Sequence, residues 1–176
     1  MTTPFIATPE ERIRFQAFID LANSIEEIVW TAEPNGQADY FNRHWFRYTG
    51  MTIEQSQGAG WTAAVHTEDL QHCVEIWTNA LTNLRPLEVN FRLRRTDGMY
   101  QHHICRTNPV FDAQGKIYKW FGMTVNVHAA RMRNEEIKKR HQHEVELLKA
   151  ENRALLAKLA KAREQQSTKI VPSPNP

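Results

Sequence analysis

The sequence lacks the features of several protein classes. It has only two cysteines, Cys73 and Cys105, among 176 residues, so it is not a disulfide scaffold, and their spacing forms no CxxC redox or zinc motif. No apolar run approaches the roughly 20 residues that span a bilayer. The N-terminus has no basic region followed by an apolar stretch, so it predicts no secretory signal. We therefore expect a cytoplasmic protein with reduced thiols and no membrane partner.

Catalytic and metal-binding motifs are also missing. The sequence contains no nucleophile elbow, no P-loop, no Gly-rich phosphate loop and no paired-carboxylate signature. Its eight histidines predict no metal site, since His102 and His103 would point to opposite faces of a strand. His141 and His143 would diverge on a helix, where a spacing of four is needed for convergence. We expect no enzymatic activity, no catalytic residues and no metal.

Charge is distributed unevenly along the chain. Residues 1–130 carry 11 Lys/Arg against 14 Asp/Glu, whereas residues 131–176 carry 11 against 6. The sequence therefore joins a slightly acidic body to a basic tail. The basic run 138–140 precedes a zipper-like segment, as in bZIP proteins, but glutamates interrupt it and no long basic reading helix is present. Nucleic acid is accordingly not an expected partner.

The first forty residues predict a helix and a hairpin. Residues 9–23 have apolar side chains at helical spacing, with Thr8 as the predicted N-cap. Strands are predicted at residues 27–33 and 38–42, because Pro34-Asn35-Gly36 between them is strong turn chemistry. The apolar residues assigned mainly to one broad helix face are Ile13, Phe15, Phe18, Ile19 and Leu21.

The middle of the chain changes from a helical to a strand period. Residues 68–84 predict a helix capped by Thr67, and Leu70, Val74, Trp77 and Leu81 form its expected inward stripe. After Pro86 the apolar residues alternate, and Asp97-Gly98 predicts a hairpin turn between two strands. The long strands are expected around residues 89–93, 99–110 and 117–127.

Together these elements predict an α+β domain with an antiparallel sheet that has helices on one face. The predicted organisation is an N-terminal helical cap at 1–24, a folded domain at 25–130, a long helix at 131–166 and a disordered tail at 167–176. The tail is rich in Pro and Ser, whereas the long helix contains neither Gly nor Pro.

Four motifs in order resemble those of a PAS domain of the subgroup with three long C-terminal strands. The resemblance covers residues 22–128. Its motifs are Trp61 with Val65-His66-Thr67-Glu68-Asp69, the strand and turn at 91–98, Pro109-Val110-Phe111-Asp112 with Gly115, and Trp120-Phe121-Gly122 with Asn126-Val127. Two residues depart from the family pattern: Thr67 replaces its usual Pro, and Asn126 replaces its usual Asp.

The resemblance implies a sensory or interaction module with a five-stranded antiparallel sheet and helices on one face. Such domains often hold a small ligand between sheet and helices and transmit a signal through the helix after the last strand. Gly122 and Asn126 would form the signal joint here. Asn126 retains an acceptor but loses the charge of Asp, so we expect softer coupling to the exit helix.

The resemblance also bears on cofactors, and we expect the protein to bind none. Light-sensing relatives need a cysteine in an Asn-Cys-Arg-Phe-Leu-Gln type of helix, which this sequence lacks, so covalent flavin is not expected. Haem-binding relatives carry a histidine on the long helix before the central strand. His72 or Cys73 lies near that position and either could ligate iron, although packing or exposure is the simpler interpretation of both.

A ligand pocket, if one exists, is expected to be aromatic, and a fully packed core is the equal alternative. Strand alternation leaves two choices for the covered face, either His103, Cys105 and Thr107 or His102, Ile104 and Arg106. The ligand-pocket candidates are Trp30, Phe41, Trp45, Phe46, Trp61, Trp77, Phe91, Leu93, His103, Cys105 and Met123.

The long helix predicts either a solvated single helix or, as we favour, a parallel coiled-coil homodimer. The predicted seam has Val145, Asn152 and Leu159 at a positions and Leu148, Leu155 and Ala162 at d positions, and a single Asn at a favours a two-stranded parallel register. The protein is thus interpreted as a sensory and dimerisation module that assembles with itself or another signalling protein. The alternative is a truncated or remnant histidine kinase or diguanylate cyclase that lacks its catalytic domain.

Overall fold

The computed structural model describes residues 8–169. Its elements in chain order are α1 (Pro9–Ser24), β1 (Ile28–Ala32), β2 (Ala38–Phe41), α2 (Arg43–Thr49), α3 (Ile53–Ser56), a 3-10 helix (Gly60–Ala64), α4 (Thr67–Asn83), β3 (Leu87–Arg94), β4 (Tyr100–Phe111), β5 (Ile117–Asn126) and α5 (His128–Lys169). The chain divides into two compact units after Ala129. The first unit contains the sheet and the second contains nearly all of α5.

The five strands form one antiparallel sheet in the order β2-β1-β5-β4-β3. This confirms the predicted α+β fold. Trp30 pairs with Phe41 and with Gly122, and Gly122 pairs in turn with Thr107. Because neighbouring residues in register share a face, these positions define the inner face of the sheet, on which α2 and α4 pack.

Glycines close the predicted hairpin turns. Gly36 has φ 89° and Gly98 has φ 82°, values that a side chain makes unfavourable. The Gly36 N–H donates to the Glu33 carbonyl at 2.8 Å, and the Gly98 N–H donates to the Arg95 carbonyl at 2.9 Å. The turns predicted at Pro34-Asn35-Gly36 and Asp97-Gly98 are therefore confirmed.

Helix α4 differs from the prediction in its cap and in its buried face. His66, not Thr67, is the N-cap, because its Nδ1 accepts the Glu68 N–H at 3.2 Å. Val74 is 42% exposed, so the predicted stripe is wrong at this position. Cys73 and Ala80 are buried instead, since the helix turns its small residues towards the inner face.

Helix α1 packs on the opposite, outer face of the sheet. Phe18 contacts Tyr40 and Phe121, with ring centroids 5.2 and 5.8 Å away. The single broad apolar face predicted for this helix is wrong, because only Phe18 and Ile19 of its five residues are half-buried. Ile13, Phe15 and Leu21 are exposed.

Helix α5 begins at His128, three residues before the predicted start, and continues through Lys169. Residues 167–169 are therefore helical rather than part of a disordered tail, and residues 170–176 of that predicted tail lie outside the described residues. Within the described part of the chain, no helix is long and apolar enough to cross a membrane.

An ion-paired network fastens the start of α4 to the edge strand β3. Asp69 accepts the Arg92 backbone N–H at 2.7 Å and two bonds from its guanidinium at 2.9 and 2.7 Å. Glu68 accepts a fourth bond from Arg92 at 2.8 Å. The hydrogen bonds from Arg92 lower the pKa of Asp69 below its usual range, so the carboxylate is charged at neutral pH.

We expect Asp69→Asn to lower the free energy of unfolding by about 1–2 kcal/mol at pH 7, because the amide NH2 faces the Arg92 guanidinium and cannot replace the charged bonds. Since the folded pKa of Asp69 is depressed, its stabilisation is present above the pKa of the unfolded chain and is lost as the pH falls through the folded value. Urea unfolding at several pH values tests this.

Glu68→Gln is the matched control, because Glu68 is an exposed partner of the same Arg92. Its effect should be clearly smaller than that of Asp69→Asn. Equal losses in the two variants, or an Asp69→Asn loss that persists unchanged at pH 3, would contradict this role for Asp69.

Candidate functional site

A cavity lies between the inner face of the sheet and the helices that cover it. Every strand contributes to its wall, together with α2, α4, the 3-10 helix and the turn before β2. The lining residues are Trp30, Gly36, Ala38, Phe41, Trp45, Trp61, Cys73, Trp77, Leu87, Val89, Phe91, Leu93, Cys105, Thr107 and Thr124. None of these side chains carries a formal charge at neutral pH, so the cavity is built to hold an uncharged group.

Aromatic rings form much of the wall. Phe41 stacks on Trp45, with ring centroids 4.6 Å apart, and the edge of Trp30 meets Trp77 at 5.8 Å. The Trp45 Nε1–H donates to Ser56 Oγ at 2.8 Å, away from the cavity. This bond satisfies the indole donor and leaves an apolar ring surface towards the cavity.

Cys105 forms a polar corner in this otherwise apolar wall. Its Sγ lies 3.9 Å from Thr107 Oγ1. Burial raises the pKa of the Cys105 thiol, while hydrogen bonds from Thr124, Thr107 and Trp30 act in the opposite direction. Burial also raises the pKa of Cys73 to about 11. Both cavity cysteines are therefore neutral thiols, which makes them poor nucleophiles.

Gly122 sets the position of the Trp30 side chain. A Cβ atom at residue 122 would lie 2.1 Å from Trp30 Cε2 and 2.3 Å from Cζ2. The indole therefore occupies the space that a side chain at residue 122 would fill, and it forms a wall of the cavity. This is the structural role of Gly122, which the sequence predicted only as part of a signal joint.

The cavity volume is about 60 Å3. One water needs roughly 10–15 Å3 of such space, and an engineered cavity of about 150 Å3 binds benzene. The residues as they are packed therefore suit a ligand of about four non-hydrogen atoms. A haem or an isoalloxazine ring does not fit without displacement of the aromatic wall.

The residues considered for haem and metal binding are not arranged to hold either. Cys73 is buried against the cavity as a neutral thiol, whereas His72, one residue earlier, is exposed. Among residues 8–169, no group of three or more His, Cys, Asp or Glu side chains is placed to hold a metal ion.

Most predicted pocket residues do meet at the cavity: Trp30, Phe41, Trp45, Trp61, Trp77, Phe91, Leu93 and Cys105. Three do not. Phe46 packs against the core without lining the cavity. Met123 lies on the outer face and is 39% exposed, because it is next to the inward Gly122. His103 is on the inner face but lines a separate cleft.

Two sets of β4 residues were candidates for the face that the helices cover. The structure buries His103, Cys105 and Thr107 on that face. Thr107, Thr124, Leu87 and Val89 line the cavity although they were not among the predicted pocket residues. Alternation along β3 could have identified Leu87 and Val89, and alternation along β4 could have identified Thr107. The inward position of Thr124 follows only from the pairing of β5 with β1 and β4.

A chain of hydrogen bonds connects α2 to the first residue of α5. The Tyr48 hydroxyl and the Asn126 Nδ2 both donate to Gln101 Oε1, at 3.2 and 2.7 Å. Asn126 Oδ1 accepts the His128 N–H at 3.0 Å. Burial raises the pKa of Tyr48 to about 12, so its hydroxyl keeps the donated proton. Asn126 therefore acts as both donor and acceptor, and Asp could supply only the second function.

Residues 38–124 match the model of a family described as PAS fold. Protein y4lL of Sinorhizobium fredii is 30% identical over 132 residues, which are 75% of this chain and 16% of that protein. The peroxide stress-activated histidine kinase mak1 of Schizosaccharomyces pombe is 28% identical over 120 residues, or 68% of this chain and 7% of the kinase. This chain thus spans less than a fifth of the length of either relative.

Solved structures share the fold at low sequence identity. An RNA-binding Light-Oxygen-Voltage receptor aligns with a TM-score of 0.62 at 17% identity, over 81% of this chain and 40% of that one. The N-terminal domain of a diguanylate cyclase with PAS/PAC sensor from Marinobacter aquaeolei aligns with a TM-score of 0.54 at 17% identity, over 60% and 98% of the two chains.

We expect Gly122→Ala to lower the free energy of unfolding by about 1–3 kcal/mol, because the new methyl group overlaps the Trp30 indole. Met123→Ala, at the exposed neighbouring position, is the control and should cost less. Chemical denaturation measures both. In a Trp30→Ala background the cost of Gly122→Ala should largely disappear, and additive losses in the double variant would show that the two residues are not coupled.

Proposed function

Because this chain contains a PAS domain, a type of sensory module, we propose that it senses a small neutral molecule in the apolar cavity and transmits the bound state through α5. The role is non-catalytic in this proposal. The observation that carries it is the enclosed cavity with one polar corner, because such a site binds by shape and a single polar contact.

The lining determines the class of ligand that we propose. A charged molecule would lose its hydration without gaining an opposite charge, which is costly. The polar corner at Cys105, Thr107 and Thr124 offers weak donors and acceptors to one polar atom. The ligand is therefore a neutral, mainly apolar molecule with a single hydrogen-bonding group.

Transmission is proposed to use the joint between β5 and α5. Thr124 lines the cavity, and Asn126, two residues later, binds the His128 N–H and Gln101. A ligand that moves this end of β5 would therefore alter the hydrogen bonds at the start of α5. The packed end of a strand and the start of the helix that follows it can adopt alternative arrangements, which is what a switch requires.

The proposed output is a parallel homodimer formed by α5. Leu148, Leu155 and Leu159 of the predicted seam are each about half exposed in the single chain, so a partner would bury them. In a parallel register the g residue Glu144 would face the partner's e residue at 149, which is a lysine, and this pairing is attractive. Another signalling protein with a similar seam is the second kind of partner.

A second candidate is that this PAS domain serves as the sensor of a larger enzyme. The observation that favours it is the match to the histidine kinase mak1, of which the aligned region is only 7%. In that case α5 would connect the sensor to an output domain. We place either form in the cytoplasm, where the free thiols Cys73 and Cys105 would remain reduced.

Binding of 1-propanol tests the cavity, with intrinsic fluorescence as the signal because four of the five tryptophans line it. We expect saturable binding that Cys73→Leu weakens at least tenfold, since the larger side chain fills the cavity. Val74→Leu changes the exposed neighbouring residue of α4 and should leave binding unchanged. Equal binding by wild type and Cys73→Leu would place the alcohol elsewhere and contradict the proposal.

Disulfide trapping tests the parallel seam. At a d position of a parallel dimer the two symmetry-related side chains face each other, so Leu148→Cys should give a covalent dimer on mild oxidation. Leu147→Cys, one residue outside the seam, should give much less. Native mass spectrometry and non-reducing gels measure the product, and equal trapping of both variants, or a monomer at high micromolar concentration, would overturn the dimer.

A further inference from the structure

A second cleft, separate from the apolar cavity, opens beside the joint between β5 and α5. Its volume is about 390 Å3, within the range of small-molecule sites. The segment before β1, helix α2 and the ends of β4 and β5 form its walls. Thr124 lines both the cleft and the cavity, so the two spaces lie on either side of one residue.

The floor of this cleft contains a buried imidazole with an available acceptor. His103 is 1% exposed, and its Nδ1 lies 2.9 Å from the Gln101 carbonyl oxygen. A carbonyl can only accept, so Nδ1 carries the proton and Nε2 of the neutral ring has a free lone pair. Burial lowers the pKa of His103, which keeps the ring neutral. Within residues 8–169 the structure gives His103 no second hydrogen bond.

A second imidazole, His44 of α2, also lines the cleft. Its Nε2 is buried and has no hydrogen-bond partner among the described residues. A buried polar atom without a partner costs free energy. The structure thus places two imidazole rings on the walls of one cleft, and the Nε2 of His44 is left without a partner there.

Opposite charges without partners border the same cleft. Glu26, which is exposed, and Glu27, which is half-buried, come from the segment before β1, and Arg47 is exposed on α2. In the part of the chain that the structure describes, none of the three takes part in a salt bridge, although ten other ion pairs are formed. A carboxylate on one wall and a guanidinium on another suit a ligand that carries both charges.

From these features we propose that the cleft binds a small zwitterion of amino-acid size. Its ammonium group would face Glu27, its carboxylate would face Arg47, and a polar group would reach the imidazoles below. Asn126 also lines the cleft and holds the His128 N–H, so occupancy would act on the start of α5. This site is distinct from the apolar cavity and does not depend on the function proposed for it.

Isothermal titration calorimetry of the full chain with the twenty L-amino acids, each at millimolar concentration, tests the proposal. We expect at least one to bind. Its N-acetyl derivative, which lacks the ammonium group, and its carboxamide, which lacks the carboxylate, should each bind at least tenfold more weakly, because each loses one charged contact. Nuclear magnetic resonance shifts of the His103 ring and the Asn126 side chain should accompany binding.

Four variants locate the site. Glu27→Gln and Arg47→Gln should each weaken binding by about ten- to a hundredfold. Arg43→Gln, an exposed arginine of α2 that does not line the cleft, should leave the affinity unchanged, and so should Cys73→Leu. The absence of binding by all twenty amino acids would overturn the proposal, and so would binding of the two blocked derivatives as tight as that of the free amino acid. Loss of binding in Cys73→Leu would do so too, because it would assign the ligand to the apolar cavity.

Discussion

The close approach of the Trp30 indole to Gly122 is the constraint on which much of the domain depends. The absence of a side chain at residue 122 lets the indole lie against the centre of the sheet. There it supports Trp77 of α4 and lines the cavity. It also acts to lower the pKa of the Cys105 thiol, against the effect of burial. One close approach between β1 and β5 thus positions the sheet, the covering helix and the polar corner together.

The paired charges of this domain lie at the edge strand β3 and on the outer face of the sheet, where water or a partner can compensate them. Asp69 and Arg92 join α4 to the edge strand, and Lys119 bridges Glu33 and Asp39 on the outer face. The interior contains neutral thiols, hydroxyls and aromatic rings. This separation follows from the cost of burying an unpaired charge, and it gives the cavity and the cleft beside the joint between β5 and α5 different ligand chemistry.

The sequence predicted the sheet, its hairpins and the family because these depend on local signals: strand alternation, turn residues and short motifs in order. All six aromatic residues that line the cavity were among the pocket candidates, which were chosen because the sequence is rich in aromatic residues. It failed for Val74, where helical spacing alone could not separate a stripe that faces the sheet from one beside it. It failed for Met123 because the register of β5 depends on two neighbouring strands, so that residue 122 faces inward and residue 123 outward.

By itself, then, the amino-acid sequence determined which segments fold into strands and helices, and that the interior would be aromatic. Only the tertiary structure decided that the cavity is small and uncharged, since its volume depends on how Trp30 meets Gly122. Only the tertiary structure brought Tyr48, Gln101 and Asn126 into one hydrogen-bonded chain. These residues are 25 or more positions apart, and side chains so distant meet through the packing of whole elements, which no local pattern of residues encodes.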